Sequence, residues 1–176
     1  MKSFVLRRPA GALILALFAL AGCAGGDNFT PKAEPSFYRD LAALGAQLDT
    51  AAAASMITGY RANNSLPAVT LDPELTRLAQ AQAEIMAKRD KLDHNAGKPF
   101  AARLKASGYD SKSAAENISA GYHTLAEAFS GWRDSPPHRA NMLLKGATRM
   151  GIAAVYTPSS KYKVYWALIL AEPESK

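Results

Sequence analysis

The chain holds three histidines, His94, His123 and His138, and scattered carboxylates that could serve them. An imidazole beside a carboxylate can act as a base, orient a polar ligand or hold a metal. His94 follows an amphipathic run and precedes Gly97-Lys98-Pro99. Alone, it also reads as a surface histidine favouring the negative end of a helix. Glu116 stands in Ala114-Ala115-Glu116-Asn117-Ile118, an apolar setting for a carboxylate, although Ser113-x-x-Glu116 equally fits a capping box. His138 lies in Trp132-Arg133-Asp134-Ser135-Pro136-Pro137-His138-Arg139-Ala140-Asn141, where the proline pair predicts a rigid loop able to hold a ligand or a general base. His123 carries no assigned role, and Glu127 reads as a helix cap. No HExxH, GxSxG, Walker A or CxxC sequence is present, so any site must be assembled from distant segments.

The elements that must position these residues are written in the apolar periodicity. Residues 37–61 are rich in Ala and Leu, and Leu41, Leu44, Leu48, Ile57 and Tyr60 predict one or two helices. Asp72-Pro73-Glu74 opens the best-marked helix, with Leu75, Leu78, Ala79, Ile85 and Met86 on one face and an end expected near Leu92. A short helix is expected over 98–107, stopped by Gly108. Thr124-x-x-Glu127 forms a capping box before a helix that buries Leu125, Phe129 and Trp132, and Ser135-Pro136-Pro137 ends it. Met150 to Tyr156 and Tyr162 to Leu170 alternate apolar residues and predict a hairpin across Pro158–Lys161. Helices first and a hairpin last indicate a single α+β layered domain rather than a doubly wound sheet.

With 176 residues, 48% hydrophobic and 20% charged, the composition is that of one folded domain. The single cysteine, Cys23, excludes intrachain disulfides and any multi-thiolate zinc site. Lys2, Arg7 and Arg8 precede an apolar run, Ala10 to Ala21, that is shorter than the roughly twenty residues a bilayer-spanning helix needs. This is the pattern of a leader peptide. Its end, Leu20-Ala21-Gly22-Cys23, resembles the lipobox of bacterial lipoproteins. That resemblance implies cleavage before Cys23, acylation of its thiol (palmitate among the chains) and attachment to a membrane in the cell envelope. Ala24 after it, rather than Asp, implies the outer membrane in a Gram-negative cell. Loss of Lys2, Arg7 and Arg8 takes the formal charge from +6 to +3, and no nucleic-acid-binding motif accompanies it. The expected organisation is a leader at 1–22, a tether at 23–36, an Ala-rich helical lead-in at 37–54 and the domain proper at 55–172.

Taken in order, the segments resemble the bacterial branch of the CAP superfamily (cysteine-rich secretory, antigen 5 and pathogenesis-related 1, with an SCP-like domain). The resemblance rests on Tyr60-Arg61-Ala62-Asn63, Leu66-Pro67-Ala68-Val69, Leu71-Asp72-Pro73-Glu74-Leu75, His94, Phe100, Arg103-Leu104 and Gly108-Tyr109. It continues through Ala115-Glu116-Asn117-Ile118, the Trp132 to Asn141 segment, Gly151-Ile152 and Tyr165-Trp166. It implies an α-β-α sandwich with an open cleft where two histidines and one or two glutamates face one another, here His94, His138 and Glu116. Where animal and plant members carry the second glutamate, this chain has Ser135, and Pro137 replaces the usual glycine.

Such a cleft implies a ligand-binding or interaction module for a lipid, sterol-like or peptide ligand, with Ser135 beside the triad and aromatic walls from Tyr109, Tyr122, Trp132 and Tyr165. The alternative is a hydrolase assisted by zinc or another divalent cation held by His94 and His138 with Glu116 nearby. A Ser135–His138–Glu116 relay lacks a nucleophile elbow. The remaining reading is a hydrogen-bonded network that braces the sandwich.

Overall fold

One strand, Val164–Pro173 (β4), is buried on both faces along most of its length, and the other elements are arranged around it. The computed structural model describes residues 34–174; the expected leader, Cys23 and residues 24–33 of the tether lie outside them. Val164, Trp166, Leu168 and Leu170 point to one core layer, and Tyr165, Ala167, Ile169 and Ala171 to the other. Period-two alternation with both faces apolar is what a strand between two helical layers requires. β4 pairs antiparallel with Ser111–Ala120 (β2) on one side and Arg149–Tyr156 (β3) on the other. Thr70–Leu71 (β1) adds a short parallel pairing to β3, so the order is β1-β3-β4-β2 and β2 is an edge strand.

The Trp166 face is covered by helices Thr50–Ala62 (α1), Leu125–Asp134 (α4) and Pro136–Met142 (α5), through Ile57, Leu125, Ala128, Trp132 and Met142. The Ile169 face is covered by Pro73–Arg89 (α2), through Leu75, Leu78, Ala79, Ala83 and Met86, with Phe100 and Leu104 of Phe100–Ala106 (α3) alongside. The result is an α-β-α sandwich. Gly151 sets the closest approach of the two layers. A Cβ there would lie 2.1 Å from the Leu75 carbonyl carbon and 2.2 Å from Thr76 N. Only the absence of a side chain lets β3 and α2 meet at that separation.

Four local expectations are corrected. Residues 37–61 form no continuous helix. A 3-10 turn at Ser36–Tyr38 and an irregular stretch precede α1, which starts at Thr50 because the Asp49 carboxylate caps Ala52 N at 2.9 Å. Gly45 at φ 78° turns the chain in between, and Leu44, placed on the helical face by its spacing, is exposed. α2 ends at Arg89 rather than Leu92. Asp90 takes a left-handed conformation, held there by Lys161 N at 3.0 Å and the Tyr165 hydroxyl. The Ser113-x-x-Glu116 segment is strand, not a helix start. β2 carries one β-branched residue, Ile118, among serines, alanines and the polar Lys112, Glu116 and Asn117, and its conformation is imposed by pairing with β4 from Ser111↔Pro173 to Ala120↔Tyr165. Pro136 opens a new helix instead of a loop, in the first position that suits proline, so His138 stands in the first turn of α5. The capping box at Thr124 and Glu127 forms as expected.

Candidate functional site

Alternation along β2 divides its side chains between the two layers, and this places the site. Glu116 and Ile118 point toward α2 and α3, while Asn117 and Ser119 point toward α4 and α5. Because α2 stops at Arg89, residues 92–95 leave the helix, with the Asp93 carbonyl held by Gln82 Nε2 at 2.8 Å, and bring His94 to Glu116. His94 Nδ1 lies 2.9 Å from Glu116 Oε1. A carboxylate only accepts, so Nδ1 carries the proton and Nε2 is the ring atom left to the groove. The other carboxylate oxygen, Oε2, accepts from Arg103 Nη2 of α3 at 2.6 Å. Arg103 is itself held by Lys98 O at 3.1 Å through Nε. Glu116 is 2% exposed at its side chain, whereas His94 is 48% exposed. A buried, charge-neutralised carboxylate therefore orients a half-exposed imidazole.

His138 arrives from the other layer. Asn117 Nδ2 donates to its carbonyl at 2.9 Å, and Asn141 Nδ2 bridges Asn117 Oδ1 at 2.9 Å and the Glu116 carbonyl at 3.1 Å. These bonds cover part of the outer edge of β2 and lock α5 against it. Burial first, and then the neighbouring His94, hold His138 below the ordinary histidine pKa and so favour its neutral ring. Its Nδ1 is buried and has no hydrogen-bond partner.

A groove follows β2 between the two histidines. One cavity of about 340 Å³ is lined by Leu92, Asp93, His94, Asn95, Ile118 and His138. A second, of about 250 Å³, shares Leu92, Ile118 and His138 and continues to Ser119, Tyr122, Trp132 and Ser135. Of the expected ligand-contacting residues, His94, His138, Ser135, Trp132 and Tyr122 line these cavities, and Glu116 underlies His94. Two do not. Tyr109 lines a different cavity with Asp72 and Arg149; its hydroxyl lies 3.4 Å from Asp72 Oδ2, and burial pushes its pKa up to about 12. Tyr165 points into the α2 layer, where its hydroxyl bonds Asp90 and burial likewise raises it to about 12. Its place on β4 decides this, since Trp166 takes the opposite face. Arg103, Asn117 and Asn141 serve the site without having been assigned a role from sequence. Their bonds join segments far apart in the chain, which no local pattern reveals.

The geometry limits the chemistry. A serine relay needs the carboxylate on His138 Nδ1, but Glu116 is bonded to His94 and Arg103. A zinc peptidase normally uses three protein ligands. With both Glu116 oxygens engaged, two imidazoles remain, and among the described residues no group of three His, Cys, Asp or Glu side chains could hold a metal ion. The donor set does not fit a catalytic zinc centre.

An α-β-α sandwich with a His/Glu-lined groove along its edge strand defines a class, and comparison with known proteins identifies it. Residues 54–170 match the model of the CAP, cysteine-rich secretory protein family, and the chain belongs to that family. It is 31% identical over 102 residues to the uncharacterized protein YkwD of Bacillus subtilis (strain 168), covering 56% of this chain and 39% of that protein. The chain thus spans well under half of that curated relative. Its fold is similar to an outer surface protein of Borrelia burgdorferi, with TM-score 0.65, 16% identity, and coverage of 72% of this chain and 93% of that one. It is also similar to an extracellular SCP-domain protein of Bacillus anthracis str. Ames, with TM-score 0.59, 21% identity, and coverage of 67% and 38%.

Proposed function

We propose that this chain is an extracytoplasmic lipoprotein, anchored through Cys23, whose CAP domain binds an uncharged organic ligand in the groove along β2. The observation that carries this reading is the groove itself. Its walls are Leu92, Ile118, Tyr122 and Trp132, its polar points are two imidazoles with Asn95, Ser119 and Ser135, and its two carboxylates are both paired, Asp93 with Lys91 at 3.1 Å and the underlying Glu116 with Arg103. Concave sites of this kind, mostly apolar with few fixed polar groups, are the usual form of small-molecule sites. A lipid, sterol-like or peptide ligand with an apolar body fits that chemistry. The anchor is supported by Leu20-Ala21-Gly22-Cys23. The descriptions of two fold relatives as extracellular and outer surface proteins agree with it.

Native mass spectrometry of the full-length chain extracted from its own envelope tests both parts. The wild type is expected to retain an organic ligand, and Leu92→Trp, which fills the groove from a loop position, is expected to lose it. Cys23→Ser is expected to leave the membrane fraction. A wild type that retains nothing from any extract, or a Cys23→Ser chain that stays in the membrane, counts against the respective half.

A further inference from the structure

The part of the groove lined by Ser119, Trp132 and His138 holds buried polar atoms that have no partner among the described residues. Trp132 Nε1, Ser119 Oγ and His138 Nδ1 are all buried without a hydrogen bond. Trp132 is 1% exposed and Ser119 7%. All three residues line the same cavity of about 250 Å³. Folded proteins leave few such groups, because each forfeits a hydrogen bond that water would have supplied. The second tryptophan provides the contrast. Trp166, edge-on to Trp132 at 6.3 Å, donates its Nε1–H to the Tyr122 carbonyl at 2.8 Å. One indole is satisfied within the fold, and the other, in the wall of the cavity, has no partner among the described residues.

The atoms specify the chemistry of an occupant. The Trp132 indole can only donate, while the Ser119 hydroxyl and a neutral His138 ring can each donate or accept. Among the described residues no Lys, Arg, Asp or Glu lines the cavity, so a charged group would enter without a counter-ion there. Resting on the reading of the groove as an organic-ligand site, we infer that this cavity is the subsite for an amide group. The amide carbonyl accepts from Trp132 Nε1–H, and its N–H donates to Ser119 Oγ or His138 Nδ1. The ligand class of the groove is thereby amide-bearing, an N-acylated molecule or a peptide, rather than a carboxylate, a phosphate or a pure hydrocarbon.

The indole N–H resonances of the 15N-labelled full-length chain in detergent micelles report on this directly, with Trp132→Phe assigning the two peaks. N-methylacetamide is expected to shift the Trp132 peak and leave that of Trp166 in place, with acetate far less effective. Ser119→Ala should weaken binding by roughly three- to tenfold, the worth of one hydrogen bond. N-acetylglucosamine and N-acetylalanine methylamide are the two arms that separate an acylated sugar from a peptide, and the tighter one names the source. A Trp132 peak unmoved by any amide, moved equally by acetate, or showing only undisplaced contact with water overturns the subsite. If the backbone amides of residues 92–95 still respond, the groove reading survives that failure. If they too are silent and no ligand co-purifies, both fall.

Discussion

Glu116→Ala should destabilise the domain by about 3–5 kcal/mol, the usual cost of removing one partner from a buried ion pair. The carboxylate is 2% exposed and Arg103 12%, so neither charge is solvated in the fold. Arg103 Nη1 is already buried without a partner, which leaves the guanidinium dependent on Glu116 and the Lys98 carbonyl. Truncation strands that cation and also frees His94, whose Nδ1 has no other acceptor described. Glu116→Gln keeps an acceptor but loses the charge, and an intermediate loss is expected. The pair Glu116→Leu with Arg103→Met should recover much of the stability, since apolar groups of similar volume often replace buried ion pairs well. It should not recover ligand binding, because His94 is no longer oriented. Urea denaturation of the four proteins checks the order, and a Glu116→Ala loss below about 1 kcal/mol, the range of a surface ion pair, would show that the pair is solvated.

Arg61→Ala is expected to be equally severe for a different reason. Arg61 is fully buried, and among the described residues its guanidinium pairs with no carboxylate and donates to backbone carbonyls. Nε reaches Pro67 O at 2.9 Å, Nη1 reaches Met142 O and Leu144 O at 3.0 Å, and Nη2 reaches Ala147 O at 2.7 Å. It thus ties the end of α1 to the loop before β1 and to the connection between α5 and β3. Burial lowers its pKa, yet no other side chain could satisfy four carbonyls in that fan. Hydrogen bonds to charged groups are worth about 1.5–3 kcal/mol each, so losing the fan should remove about 4 kcal/mol or more. For a domain of this size that lowers Tm by more than about 10 °C. Arg61→Lys, a point charge without the planar fork, should recover only part. A Tm within about 2 °C of wild type for Arg61→Ala, less than about 1 kcal/mol in these terms, would mean that water replaces the guanidinium freely.

Arg61 also illustrates how far the residues could be read before the fold was known. In sequence it is only part of Tyr60-Arg61-Ala62-Asn63, a family mark without a role, because three of its four acceptors lie more than eighty residues away, at Met142, Leu144 and Ala147. Elements with local signals were legible: the Asp72 cap, the Thr124 capping box and the alternation of β3 and β4. β2 was not, since its strand conformation comes from pairing with β4 and its own residues favour other structures. The least legible strand is thus the one that carries Glu116, Asn117 and Ser119. The association of His94, Glu116 and His138 came from family resemblance, and the structure adds how they differ in role. Glu116 is tied to His94 and Arg103, while the ring Nδ1 of His138 has no hydrogen-bond partner among the described residues. Tyr109 and Tyr165 were grouped with the groove by residue type, although direction along a strand or loop decides which side an aromatic serves.

Calorimetric titration of zinc into the wild-type chain and into His94→Ala with His138→Ala separates an organic-ligand groove from a metal centre. With Glu116 held by Arg103 and only two imidazoles to offer, the wild type should give no heat beyond dilution at micromolar zinc, and the double variant should match it. Stoichiometric zinc binding at micromolar metal, lost in the double variant, would contradict the organic-ligand reading and reinstate a metal-assisted hydrolase.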